Sequence, residues 1–120
     1  MALAEGDKIP DSTLAHMTAD GPQEITTSDL FNGKKVVLFA VPGAFTPTCS
    51  AAHLPGFVAR ADDILAKGVD TIACLSVNDP FVMGAWGEAQ NAEQSTMLAD
   101  GSGMFTKAVG SELDLTESGL

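Results

Sequence analysis

The run Val36-Val37-Leu38-Phe39-Ala40-Val41 constrains the fold more than any other stretch of the chain. Continuously apolar, rich in β-branched and aromatic residues and bounded by Lys35 and Pro42, it reads as a strand buried on both faces. Pro42-Gly43 ends the strand, because proline has no N–H to give a ladder. Thr46-Pro47-Thr48 then leads to Cys49 and Ser50, and a helix-length segment, Ala51 to Lys67, follows. A cysteine therefore stands where a strand has just ended and a helix is beginning. The unpaired N–H groups and the positive dipole end of a helix stabilise an anion. A thiol in that place is favoured as its reactive thiolate. Thr46 and Thr48 add hydroxyls within reach of the sulfur or of a bound oxygen ligand.

The rest of the chain supplies a framework for this element. Leu14, His16 and Thr18 alternate as in a short edge strand, and Asp20-Gly21-Pro22 reads as a hairpin or tight turn leading to Glu24-Ile25-Thr26. Thr27 or Ser28 caps a short helix, Asp29 to Phe31, stopped by Asn32-Gly33. Leu54, Phe57, Val58, Ala61, Ile64 and Leu65 recur at helical spacing as a core-facing stripe, with Arg60, Asp62, Asp63 and Lys67 mainly opposite. Pro55-Gly56 predicts a kink near the start of this helix, and Gly68 ends it. Val69 to Val77 is a second buried strand, so the strand–helix–strand order predicts a parallel pair. Asp79 caps the next helix with Pro80 at its first position. Thr96 to Ala99 makes a third strand, Phe105 to Val109 a last short helix ended by Gly110, and Ser111 to Leu120 a polar tail with leucines at 113, 115 and 120.

At 120 residues, 45% hydrophobic and 18% charged, this is one α/β domain spanning residues 1–120. Its net charge of −10 leaves no cluster of Lys and Arg for a nucleic-acid groove or an anionic membrane surface. Met1-Ala2-Leu3-Ala4 carries neither the charged region nor the apolar core of a secretory leader, and no apolar run is long enough to span a bilayer. Two cysteines in such a chain point to a reducing, cytoplasmic setting, where thiols are catalytic, redox-active or metal-binding. No cofactor or metal is expected, since Cys49 has neither a C-x-x-C partner nor a nearby ligand set. His53, one helical turn beyond Cys49, is the only nearby histidine base for a thiol hydrolase, but it reads rather as a partly exposed helix residue, since the helix start can activate the thiol without a base. His16 reads as a surface histidine.

Pro42, Thr46 and Cys49 fall on the pattern P-x-x-x-T-x-x-C. In the longer run PGAFTPTCS, and in His53 to Phe57, Cys74 to Met83 and Gly84-Ala85-Trp86, the chain resembles the peroxiredoxins of the type II, peroxiredoxin-5-like subgroup, from Gly6 onward. The resemblance implies a thioredoxin-like α/β fold, with a mostly parallel central sheet flanked by helices. It implies a thiol peroxidase that reduces hydrogen peroxide and small organic hydroperoxides through a Cys49 sulfenic acid, recycled by glutaredoxin, glutathione or thioredoxin. Pro42 would shield the sulfur from water, and Thr46 would hydrogen-bond the peroxide and the sulfur. Cys74 fits a core thiol and also the resolving cysteine that some type II members carry there, although a disulfide needs Cα atoms within about 7 Å. Phe45, Phe81, Met83 and Trp86 fit either core or a homodimer contact beside the site.

The family also carries a C-terminal hairpin and last helix, and an arginine at the site. This sequence ends where the hairpin would begin, which implies a truncated chain with a long open sheet edge. Such a sheet would be covered by a partner strand or by dimerisation, and the activity of the chain alone would be impaired. The sole arginine, Arg60, lies about 16 Å of helical rise beyond Cys49 and reads as a surface residue. The alternative is a silent thioredoxin-fold fragment that acts only by binding or dimerising.

Overall fold

The computed structural model of the chain describes residues 3–114 and 116–118. Leu115 and Leu120 of the expected tail lie outside them. The element order is β1 (Thr13–Thr18), β2 (Gly21–Thr26), α1 (Thr27–Phe31), β3 (Val36–Ala40), α2 (Leu54–Ala66, preceded by a π-helical turn at Cys49–His53), β4 (Thr71–Ser76), α3 (Pro80–Ala89), β5 (Ser95–Ala99) and α4 (Met104–Ala108). The strands form one sheet in the order β2-β1-β5-β4-β3. Strands β3, β4 and β5 run parallel, with Val36 opposite Thr71 and Ile72 opposite Ser95. The β1–β2 hairpin joins antiparallel through Ala15 opposite Ala99. This is a thioredoxin-like arrangement, as expected.

Helices cover both faces. On one, Leu54, Ala61, Met83 and Trp86 from α2 and α3 pack against Phe39, Val41, Ile72 and Cys74. On the other, Leu30 of α1 and Phe105 of α4 pack with Val109 against Leu14, Ala73, Leu75 and Leu98. Strand β4 lies between two neighbours and under both layers, so Ile72, Ala73 and Cys74 are fully buried.

Several sequence expectations shift. β1 is an inner strand, and β2 takes the edge. Pro22 is tolerated there because an edge strand leaves N–H groups unpaired anyway. The cap of α1 is Thr26, whose hydroxyl accepts from Asp29 N–H, rather than Thr27 or Ser28. Thr27 is instead buried, donating from its hydroxyl to Pro10 O and accepting from Ser12 N–H. The irregularity expected at Pro55-Gly56 sits one turn earlier, in the π-helical turn, while Pro55 occupies the first turn of α2, where no N–H is needed. Most consequentially, β3 is not buried on both faces. Val36, Val37 and Leu38 are half-buried and Ala40 is exposed. β3 is an edge strand, and beside it, on the α4 face, runs an open cavity of about 650 Å³ lined by residues including Leu38, Ala40, Leu75, Phe105 and Val109. Among the described residues no strand pairs with the outer edge of β3.

Helix α3 approaches the sheet closely because two of its interior residues lack a side chain. A Cβ on Gly84 would lie 2.9 Å from Met17 Cβ, and one on Gly87 would lie 2.8 Å from Met97 Cγ. The Gly84 contact is with an atom fixed to the β1 backbone, whereas Met97 can swing its chain aside. Gly84→Ala should therefore lower stability by about 1–2 kcal/mol even though alanine favours a helix by about 1 kcal/mol. Gly87→Ala should cost less. Chemical denaturation checks both, and a Gly84→Ala protein more stable than the parent would contradict the close packing.

Candidate active site

The segment after β3 is fastened at three points. Val41 N–H donates to Leu75 O at 3.0 Å, extending the alignment of β3 with β4 by one residue. Ala44 N–H then donates to the side-chain oxygen of Asn78 at 2.9 Å. Thr46 closes the turn by donating its hydroxyl to Gly43 O at 2.7 Å. Between the last two, Phe45 holds a left-handed φ of 63°, unusual for a residue with a side chain, and its ring is 56% exposed. Ser50 N–H donates to Thr46 O at 2.9 Å, which is the first helical bond. The helix thus begins at Pro47, earlier than the expected Ala51, and Cys49 lies in its first turn.

Cys49 is buried, with 5% of its surface exposed, and belongs to the core under α2 and α3. Its neighbour Ser50 accepts a hydrogen bond from the indole N–H of Trp86 at 3.0 Å, so the fully buried Trp86 fixes the first helical turn to α3. Pro42 is exposed and Thr46 half-buried. The direction of the Thr46 bond matters: its proton is used on Gly43 O, so toward a ligand the Thr46 oxygen is an acceptor. One turn on, His53 packs among Phe39 and Phe57, with ring centroids 5.2 and 5.8 Å away. It packs tilted against the stacked Phe39–Phe57 pair. Arg60 is exposed on α2. Among the described residues no group of three or more His, Cys, Asp or Glu could hold a metal.

Cys74 occupies the middle of β4, with none of its surface exposed. It shares a core cluster with Cys49, and both cysteines are free thiols. Burial, joined by the negative charge of Cys49, pushes the Cys74 thiol up to about 12. Cys74 is therefore neutral at physiological pH. The cavity of about 650 Å³ belongs to the opposite face of the sheet; Pro42 lies on its wall but Cys49 does not.

Pro42, Thr46 and Cys49 lie on one stretch, the loop after β3 and the first helical turn that follows it. The fold separates the four residues expected to act as core or contact: Met83 and Trp86 are fully buried, whereas Phe45 and Phe81 are 56% and 63% exposed. The sequence conceals the part played by Asn78, which reads along the chain only as a turn residue. The available signal was its place just past the carboxyl end of a central parallel strand, where α/β folds gather ligand-binding groups.

The different settings of the two thiols generate a direct expectation. Brief treatment of the folded protein with limiting iodoacetamide at neutral pH should modify Cys49 and leave Cys74 unmodified until the chain is unfolded, as read by peptide mass. Preferential modification of Cys74 in the folded protein would contradict these assignments.

The chain was compared with known families, curated proteins and solved structures. The Redoxin family profile matches residues 4–119. The chain is 50% identical to Peroxiredoxin-2D of Arabidopsis thaliana over 120 residues, covering 98% of this chain and 74% of that protein. It is 50% identical to the chloroplastic Peroxiredoxin-2E of the same plant, covering 97% of this chain and 51% of that protein. Among solved structures, reduced Prx3 from Vibrio vulnificus in complex with hydrogen peroxide superposes with a TM-score of 0.92 at 60% identity, covering 94% of this chain and 72% of that one. Peroxiredoxin 5 from Alvinella pompejana gives a TM-score of 0.86 at 40% identity, covering 96% and 73%. The profile match and these relatives make the chain a member of the redoxin family and, within it, a peroxiredoxin, a thiol-dependent peroxidase.

Proposed function

We propose that Cys49 is the peroxidatic residue and that Pro42 and Thr46 complete its site. The observation that carries this reading is the position of Cys49 in a helix's first turn, three residues after a Thr46 whose hydroxyl proton is already used on Gly43 O. The Cys49 thiolate attacks the terminal oxygen of hydrogen peroxide or a small alkyl hydroperoxide. A sulfur–oxygen bond forms as the oxygen–oxygen bond breaks, and water or alcohol leaves with a proton. The sulfur becomes a sulfenic acid. Thr46 accepts a hydrogen bond from the peroxide O–H and so orients it. Pro42, on the exposed side, limits the approach of water.

Recycling falls to an external thiol supplied by glutathione, glutaredoxin or thioredoxin. The neutral state of Cys74 supports this over an internal disulfide, since the thiolate is the form that attacks. The thiol attacks the sulfenic sulfur, water leaves, and a second thiol releases Cys49 from the mixed disulfide. Free buried thiols suit a reducing compartment such as the cytoplasm. The exposed rings of Phe45 and Phe81 near the site are the surface through which two copies associate, and sedimentation of Phe81→Asp beside the parent tests this: a dimeric parent and a monomeric variant are expected.

Peroxide consumption by the full chain, with each reductant in turn, tests the chemistry. Cys49→Ser should abolish it and Cys74→Ser should leave it within about threefold, the scale of an ordinary core perturbation. Consumption by Cys49→Ser equal to that of the parent would overturn the assignment. Loss in Cys74→Ser alone, with a Cys49–Cys74 disulfide by mass, would make Cys74 the resolving thiol. A chain that binds its partners yet consumes no peroxide in any arm would favour a purely binding role.

A further inference from the structure

We propose that Asn78 is a positioning residue for the peroxide reaction at Cys49, acting through the loop that carries Pro42 and Thr46; this rests on the assignment of Cys49 as peroxidatic. The side-chain oxygen of Asn78 accepts two hydrogen bonds, from Ala44 N–H at 2.9 Å and from the Ser76 hydroxyl at 2.7 Å. The backbone N–H of Ala44, which can only donate, defines which end of the carboxamide is oxygen. Ser76 is buried at the end of β4, with only 1% of its surface exposed. Asn78 is therefore anchored to β4, the most buried strand of the sheet, on one side and to the loop carrying Thr46 on the other.

What the tether holds is strained. Ala44 directly precedes Phe45, whose φ of 63° is disfavoured for a residue with a Cβ, and Phe45 directly precedes Thr46. Released from Asn78, the loop is free to relax Phe45 toward a right-handed conformation. That rotation would carry the Thr46 hydroxyl and the Pro42–Gly43 peptide away from the first turn of the helix. The turn itself has a separate anchor in the Trp86–Ser50 bond, so Cys49 stays where it is. Loss of the tether should consequently damage a reaction that needs Thr46 in place and spare one that needs only the thiol.

This dissociation gives the test. Asn78→Ala, Asn78→Gln and Asn78→Asp are made in the full chain, with circular dichroism and thermal melting to confirm folding. Cys49 is then followed in two single-turnover reactions, with hydrogen peroxide and with iodoacetamide. Asn78→Ala should slow the peroxide reaction about tenfold or more while alkylation changes by no more than about twofold, since misplacing an orienting group by about 1 Å costs that order of rate. Asn78→Gln keeps a polar group for folding but sets the acceptor at the wrong distance, and should be slow in the same selective way. Asn78→Asp keeps an acceptor for both donors and should recover most of the peroxide rate. Equal slowing of both reactions, or an Asn78→Ala protein as fast with peroxide as the parent, would overturn the proposal, as would Asn78→Asp as slow as Asn78→Ala. A parent that reacts with peroxide no faster than an ordinary thiol would sink the peroxidase reading and the proposal together, whereas a fast parent matched by Asn78→Ala removes only the role of Asn78.

Discussion

Strand β3 lies parallel to β4 from Val36 opposite Thr71 to Ala40 opposite Leu75, and the bond from Val41 N–H to Leu75 O carries the alignment one residue further. Because the strands are parallel, both end on the same side of the sheet. The loop that follows β3 and the loop that follows β4 therefore meet, and Ala44 reaches Asn78. Everything at the site depends on that meeting. The helix that begins at Pro47 can present Cys49 in its first turn only because the preceding loop is short and fixed. A slip of one residue between β3 and β4 would turn Phe39 and Val41 away from the α2 core and misplace the loop at the same time.

The same core holds two sulfurs at different places in the backbone. Cys74, in the strand buried on both sides, has no hydrogen-bond partner among the described residues to offset its loss of solvent, and burial leaves it a neutral packing group. Cys49 is almost as buried, but it lies in the first turn of a helix, where backbone N–H groups have no helical partner. The Trp86–Ser50 bond serves this arrangement by tying the first turn to α3, whose close seat against β1 and β5 depends on Gly84 and Gly87.

Much of this was legible along the chain. The apolar runs marked β3, β4 and β5, and Asp79-Pro80 marked the start of α3, because strand burial and capping are written in local patterns. The place of Cys49 at a helix start followed from the strand-to-helix order. What was not legible depended on neighbours. An apolar run gives no indication of whether a strand has a partner on each side, so β3 was read as fully buried and β1 as an edge, the reverse of the sheet order found. Phe45 and Phe81 look like Met83 and Trp86 in sequence, yet only tertiary contact decides which of them stay in solvent. The Ala44–Asn78 bond spans 34 positions, beyond any local pattern.

Trapping the oxidised sulfur tests the central assignment most directly. The full chain is exposed to one equivalent of hydrogen peroxide in the presence of dimedone, which captures a sulfenic acid, and its peptides are mapped by mass. The geometry predicts a dimedone adduct on Cys49 and none on Cys74. An adduct on Cys74 with Cys49 unmodified, or no capture at Cys49 while peroxide is being consumed, would contradict it.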